Sequence, residues 1–192
     1  MNKKELRILF NEKRNQLTHS QKEKFDDLIL IKFQRFHLPY YEFLLSFWPM
    51  DDRNEINTHP ITDFLYFQNP GLQLAYPVTD FSTHEMKAIA VNDETEFKEN
   101  KYSILEPVSG EIIAPDEIDV ILMPLLAFDK KGYRVGYGKG FYDRYLSKCR
   151  DEVIKIGMSY FEPVDEISDV SVHDIKMNYC VTPERIYEFN GL

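Results

Sequence analysis

Residues 120–149 constrain this chain more than any other segment, because an apolar strand, a glycine loop and a helix follow one another there without a break. Val120-Ile121-Leu122-Met123 is an uninterrupted apolar run, the pattern of a strand buried on both faces, and Pro124 ends it. Gly132, Gly136, Gly138 and Gly140 follow, the last three alternating with Tyr137 and Lys139, and residues 141–149 read as a helix. Backbone N–H groups at such a junction can converge on an anion. Arg134, Lys139 and Arg144 add the positive charge that phosphate oxygens attract. The segment reads as a phosphate-handling loop; the plain alternative is a flexible surface turn.

The loop matches neither common nucleotide fingerprint. A dinucleotide loop, G-x-G-x-x-G, would need glycine where Phe141 stands. A Walker-type loop would need glycine at Tyr133 and Ser or Thr at Gly140.

Elsewhere the periodicity predicts a helix over 3–17 from Leu6, Leu9, Phe10 and Leu17, and a second to about Phe36 that starts from a capping box on Thr18 or Ser20. Strands are predicted at 43–48, 73–76, 86–91, 118–123, 153–158 and 179–181, with a short helix from Asn57 or Thr58 to about Phe67. Helices between strands demand crossover connections. The expected fold is α/β, one three-layer α/β/α domain with a largely parallel or mixed central sheet. Ligands of such sheets sit at the carboxyl ends of the strands. The loops that follow Trp48 and Met123 are therefore expected to converge.

Composition narrows the partners. A chain of 192 residues with 43% hydrophobic and 14% aromatic residues can bury a core and is not disordered. Its net charge of −9 argues against nucleic acid or an anionic membrane as partner. Cys149 and Cys180 show no zinc or redox spacing and read as reduced thiols. His19, His37, His59 and His84 lack metal-binding spacing and read as surface or core residues. No apolar run reaches membrane-spanning length and no secretory leader is visible, so a soluble cytoplasmic protein is expected.

Pro124, Ala127, Phe128, Asp129, Gly132, Arg134, Gly136, Gly138, Gly140, Phe141, Tyr142, Asp143 and Leu146 resemble the signature of the 5-formyltetrahydrofolate cyclo-ligases, also called methenyltetrahydrofolate synthetases. That pattern runs roughly P-x-x-A-F-D-x-x-G-x-R-L-G-x-G-x-G-Y-Y-D-x-x-L; Val135 replaces its Leu and Phe141 its first Tyr. Weaker likeness extends along the chain, through Lys3, Leu6 and Arg7, Glu55-Ile56-Asn57-Thr58, Tyr76-Pro77, Met86, His173-Asp174 and Val181-Thr182. Asn178 stands where Asp is common, and residues 161–166 replace a usual Gln-containing segment.

The resemblance implies ATP-dependent cyclisation of 5-formyltetrahydrofolate to 5,10-methenyltetrahydrofolate, with ADP and phosphate released and Mg²⁺ as cofactor. It implies nucleotide contacts from Lys3, Lys4, Glu5, Leu6 and Arg7 and from Arg134, Val135, Gly136, Tyr137, Gly138, Lys139, Gly140, Phe141 and Tyr142. Arg134, Lys139 and Tyr142 would act in catalysis, and Asp143 and Asp174 would hold the metal. Met50, Glu55, Met86 and Phe128 would bind the folate. Glu55 is the sharpest of these, since a carboxylate suits the donor-rich aminopyrimidine edge of a pterin; its ordinary alternative is a charge at a helix start. Two other classes stay open: a non-catalytic binder of a sugar phosphate or nucleotide, and an ATP-dependent enzyme acting on another amide or carboxylate.

Overall fold

Two helices with reciprocal caps open the chain. In α1 (Lys3–Asn15) the Asn2 side chain accepts from the Glu5 N–H while Glu5 accepts from the Asn2 N–H, and in α2 (His19–Gln34) Thr18 and Gln21 do the same. There follow β1 (Phe43–Leu45), α3 (His59–Gln68), β2 (Gln73–Asp80), β3 (Glu85–Ala90), β4 (Phe97–Glu99), β5 (Leu105–Pro107) and β6 (Ile112–Ile113). The rest comprises β7 (Val120–Met123), β8 (Ala127–Phe128), β9 (Arg134–Val135), α4 (Phe141–Leu146), β10 (Ile154–Met158), β11 (Tyr179–Val181) and β12 (Ile186–Glu188). This is a computed structural model that describes residues 1–189.

Eight strands form one mixed sheet in the order β12-β11-β10-β7-β1-β2-β3-β6. From β11 to β2 the neighbours run parallel, and β12, β3 and β6 join antiparallel at the two edges. Alternation along the strands makes two cores. Leu44, Val120, Leu122, Ile156 and Val181 pack with Ile29 and Phe33 of α2 and Ile61 and Leu65 of α3. Leu45, Ala75, Ile121 and Met123 point the other way, toward Tyr145 and Leu146 of α4. A third, smaller core sits apart from the main sheet: Leu6 and Phe10 of α1 pack on Leu126, Ala127 and Val135 of the β8–β9 hairpin. Among the described residues no helix is long and apolar enough to cross a membrane.

The expected central strands are present, with shifted ends. β1 stops at Leu45; the Ser46 N–H still bonds the Ala75 carbonyl at 2.9 Å, after which the chain lifts off the sheet and Trp48 packs on Tyr76 and Phe97. β2 runs on to Asp80 through Pro77, because its partner there is the antiparallel β3. Thr58 stands at the start of α3, but its hydroxyl donates to the Phe47 carbonyl, and the Asn57 side chain instead accepts from His59 N–H. The β4–β5 and β8–β9 hairpins have no counterpart in the sequence reading, since strands of two or three residues are too short to show a period.

The β8–β9 hairpin turns on Asp129, which is fully buried. Its Oδ1 accepts from the N–H groups of Lys131 and Tyr133, and its Oδ2 from Ile167 N–H. Gly132 completes the turn at φ +88°, with the Phe189 ring packed against it so closely that a Cβ would lie 2.7 Å from a ring carbon. Gly132→Ala is therefore expected to combine left-handed backbone strain with overpacking, about 2–4 kcal/mol in all. A thermal melt should show Tm lower by roughly 4–16 °C; an unchanged Tm would mean the turn relaxes freely.

Candidate active site

Because β1 and β7 are parallel neighbours, the segments leaving their carboxyl ends emerge side by side. Between them lies a cavity of about 410 Å³, whose walls come from α1, the segment after β1, the middle of β2, the β4–β5 hairpin, the glycine loop and α4. One wall is polar. The Lys3 ammonium pairs with Asp174 Oδ2 at 2.5 Å, and Arg7 Nε donates to the Gly136 carbonyl at 2.9 Å. Gly138, at φ +88°, leaves room for the Arg7 guanidinium, which a Cβ there would meet at 3.2 Å. Arg144, read from the sequence as charge for phosphate oxygens, clamps the loop by donating to the carbonyls of Lys139 and His84.

Arg134 reaches the cavity from the start of β9. It donates to the Ile175 carbonyl at 2.8 Å and to Asp143 Oδ1 at 2.9 Å. Asp143 Oδ1 also accepts from Ile175 N–H, so both hydrogen bonds to this carboxylate fall on one oxygen. Asp174 is arranged likewise, with Oδ2 taking both Lys3 and the Ser171 N–H. Burial raises the Asp174 pKa, but the bonds from Lys3 and Ser171 outweigh it and leave the carboxyl below its usual range. Each carboxylate thus keeps a second oxygen for a ligand, and no group of three His, Cys, Asp or Glu side chains suited to a metal converges among the described residues.

The opposite wall is aromatic and apolar. Trp48 packs on Phe97 at 4.5 Å between centroids, Phe81 stacks near Tyr102 at 3.7 Å and meets Phe141 edge-on at 5.0 Å. Met50, Met86, Ile104 and Leu105 fill in around them. A flat, partly apolar ring system fits against such a surface.

Glu55 stands where the two walls meet. It is only 4% exposed, yet it lines the cavity. Tyr137 donates its hydroxyl to Glu55 Oε1, and Met50 N–H donates to Oε2 at 2.9 Å. Burial raises the Glu55 pKa above the usual carboxylate value, while these two bonds and the charges of Arg14 and Arg53 pull it back part of the way. Tyr142 lines the same cavity; its hydroxyl is buried with no partner among the described residues, and burial and the nearby Glu55 hold the phenol neutral.

Most of the sequence candidates therefore share one cavity: Lys3, Arg7, Met50, Glu55, Met86, Arg134, Gly136 to Asp143, and Asp174. Others are corrected. Phe128 is fully buried and packs against Tyr187 and Phe189, a core residue rather than a wall of the site. Leu6 and Val135 are likewise fully buried in the core under α1, Lys4 is exposed, and Glu5 is engaged in the helix cap. None of these side chains lines the cavity. The sequence reading missed Arg14, Trp48, Phe81 and Tyr102. Arg14 alone carried a signal, since Leu6, Phe10 and Arg14 recur every four residues along the buried face of α1.

The sequence model of the 5-formyltetrahydrofolate cyclo-ligase family matches residues 1–183. The chain belongs to this family. A Haemophilus influenzae protein named 5-formyltetrahydrofolate cyclo-ligase is 36% identical over 110 residues, which span 55% of this chain and 58% of that one. The fold is similar to an Aquifex aeolicus 5,10-methenyltetrahydrofolate synthetase, with a TM-score of 0.80 and 25% identity over 100% of this chain and 95% of that chain. It is also similar to a 5,10-methenyltetrahydrofolate synthetase from Mycoplasma pneumoniae, with a TM-score of 0.74 and 27% identity over 95% and 99% of the two chains.

Phe128 offers a check on the corrected assignment. Phe128→Ala should cost about 3–5 kcal/mol through the cavity it leaves, read as a lower Tm. A stable variant with altered ligand affinity would return the residue to the site.

Proposed function

We propose that this chain is a 5-formyltetrahydrofolate cyclo-ligase, which consumes ATP to convert 5-formyltetrahydrofolate to 5,10-methenyltetrahydrofolate with release of ADP and phosphate. One observation carries the reading: a glycine loop lined with cations and a buried acceptor carboxylate, Glu55, line one cavity in a chain that matches the family over residues 1–183.

The chemistry asks little acid–base work of the protein. An amide-like formyl oxygen is a poor leaving group, and transfer of the γ-phosphoryl group to it makes it a good one. The N10 lone pair then attacks the formyl carbon, the C–O bond breaks, phosphate leaves, and N10 gives up its proton. Positioning and charge neutralisation supply most of the catalysis in such transfers. Lys3, Arg7, Lys139 and the N–H groups of the loop are the phosphate donors in this reading. Arg134, oriented by Asp143, faces the transferred group. Tyr142 has a buried hydroxyl with no hydrogen-bond partner among the described residues, and in this reading a ligand oxygen or nitrogen satisfies it.

Magnesium fits the same wall. Asp143 and Asp174 each retain an oxygen outside the protein's own bonds, and Mg²⁺ commonly takes one or two carboxylates together with phosphate oxygens and water. Bound there, it would neutralise charge that develops on the phosphates.

On the folate side, Glu55 accepts from the pterin amino and ring N–H groups, with the aromatic wall against the ring. The assay is formation of the methenyl-folate absorbance band from 5-formyltetrahydrofolate, ATP and Mg²⁺, with loss of signal on chelation. No band under any metal condition would favour a phospho-ligand binder without this activity. Glu55→Gln should weaken 5-formyltetrahydrofolate at least about tenfold and spare ATP, since a charged acceptor is worth about 1.5–3 kcal/mol. Because its carboxyl titrates above the ordinary 4.5, wild-type folate affinity should fall as pH drops through that raised value, and the variant should lose this dependence. Unaltered folate affinity in Glu55→Gln would remove the residue from the pterin site.

A further inference from the structure

Arg14 lies behind the cavity, and its role follows from the hydrogen-bond arithmetic around it. It is 3% exposed, on the face of α1 that also carries Leu6 and Phe10. Its Nη1 donates to the Tyr137 hydroxyl oxygen at 3.0 Å, and its Nη2 donates to the Leu125 carbonyl. A guanidinium has five N–H donors, no acceptor, and does not lose its proton in proteins. The Tyr137 oxygen must therefore accept from Arg14, which leaves the single phenolic proton for its other partner, Glu55 Oε1. Met50 N–H already donates to Oε2. Among the described residues every hydrogen bond to the Glu55 carboxylate thus comes from a donor, and its remaining lone pairs can accept only from further donors.

We infer that Arg14 is a positioning residue of this site, which fixes the direction of the Tyr137-to-Glu55 hydrogen bond and so keeps Glu55 an ionised acceptor toward the pterin. The inference rests on the folate reading above and says why that one carboxylate discriminates. Without the guanidinium, the phenol is free to turn its proton away from Glu55. Burial then favours the neutral acid, whose own hydroxyl would confront the N–H edge of the ligand.

The groups that face Glu55 are few. Arg14 comes from α1, Arg53 from the turn after Met50, Tyr137 from the glycine loop and Tyr142 from α4. Tyr160, after β10, donates its one hydroxyl proton to Asp26 at 2.7 Å, with the Glu55 backbone carbonyl 3.2 Å from the same oxygen. Arg53 lies over the Tyr137 ring, 5.0 Å from its centroid, and makes no hydrogen bond to the carboxylate. Of the two cations, only Arg14 touches the hydroxyl that serves Glu55.

The test measures KM for 5-formyltetrahydrofolate, KM for ATP and kcat across the acid-to-neutral range, with a melt for each protein. Arg14→Met should move upward, by about one pH unit, the point at which folate KM begins to climb on acidification. That raises KM about tenfold below the new midpoint, with ATP KM unchanged and kcat at saturating folate within about threefold. Arg14→Lys, which also only donates, should restore most of the wild-type profile. If Arg14→Met does not fold, Tyr137→Phe removes the same proton and should give the same shift. A fall in Tm with folate KM raised equally at every pH, or no rescue by lysine, would reduce Arg14 to a packing residue and overturn the inference. Wild-type protein that forms no methenyl product would overturn the folate reading, and this inference with it; active wild type with an unmoved Arg14→Met profile overturns this inference alone.

Discussion

The parallel pairing of β1 with β7 is the constraint on which the site depends. Leu44 and Leu45 lie in register with Val120 and Ile121, so both strands point their carboxyl ends to the same edge of the sheet. Parallel strands deliver their next segments to the same edge. Glu55 and Tyr137, 82 positions apart, meet in a hydrogen bond as a direct result. Shifting either strand by one residue would exchange its two faces and separate the cores as well as the loops.

The cavity divides its work between walls of opposite character. Cations and loop N–H groups gather on one side, aromatic rings and methionines on the other, and Glu55 stands at the boundary. Burying a carboxylate is costly unless donors satisfy it. Here Tyr137 and Met50 N–H do so, and the same donors leave the carboxylate in one orientation. Arg134 and Asp143 repeat the arrangement on the cationic side, with the Ile175 backbone bonding both partners. Such pairs add little net stability, since desolvation offsets attraction; what they supply is fixed geometry.

The β8–β9 hairpin shows how much of a motif can be structural. Within the stretch that resembles the family signature, Phe128 fills the core, buried Asp129 satisfies three N–H groups, and Gly132 accommodates Phe189. Pro124 at its head and the second half, from Arg134 onward, line the cavity. The first half holds the second in place, and α1 packs on it from outside through Leu6 and Phe10. That is why the amino-terminal helix, remote in sequence, supplies Lys3, Arg7 and Arg14 to the same place.

The sequence by itself determined the α/β class, the central strands and a capping box at the start of α2, and it named most of the residues that line the cavity. Apolar runs, capping boxes and glycine spacing are local, and local geometry alone produces their signals. It could not separate Phe128 from the cavity wall or recognise Arg14 and the Trp48–Phe97 contact, because those depend on which distant segments lie against each residue. Arg14 falls at the helical spacing of Leu6 and Phe10, but its burial and its role required the Tyr137 hydroxyl, 123 positions away. Tertiary structure decided the hairpins too, since strands of two or three residues have no period of their own and exist only through their partners.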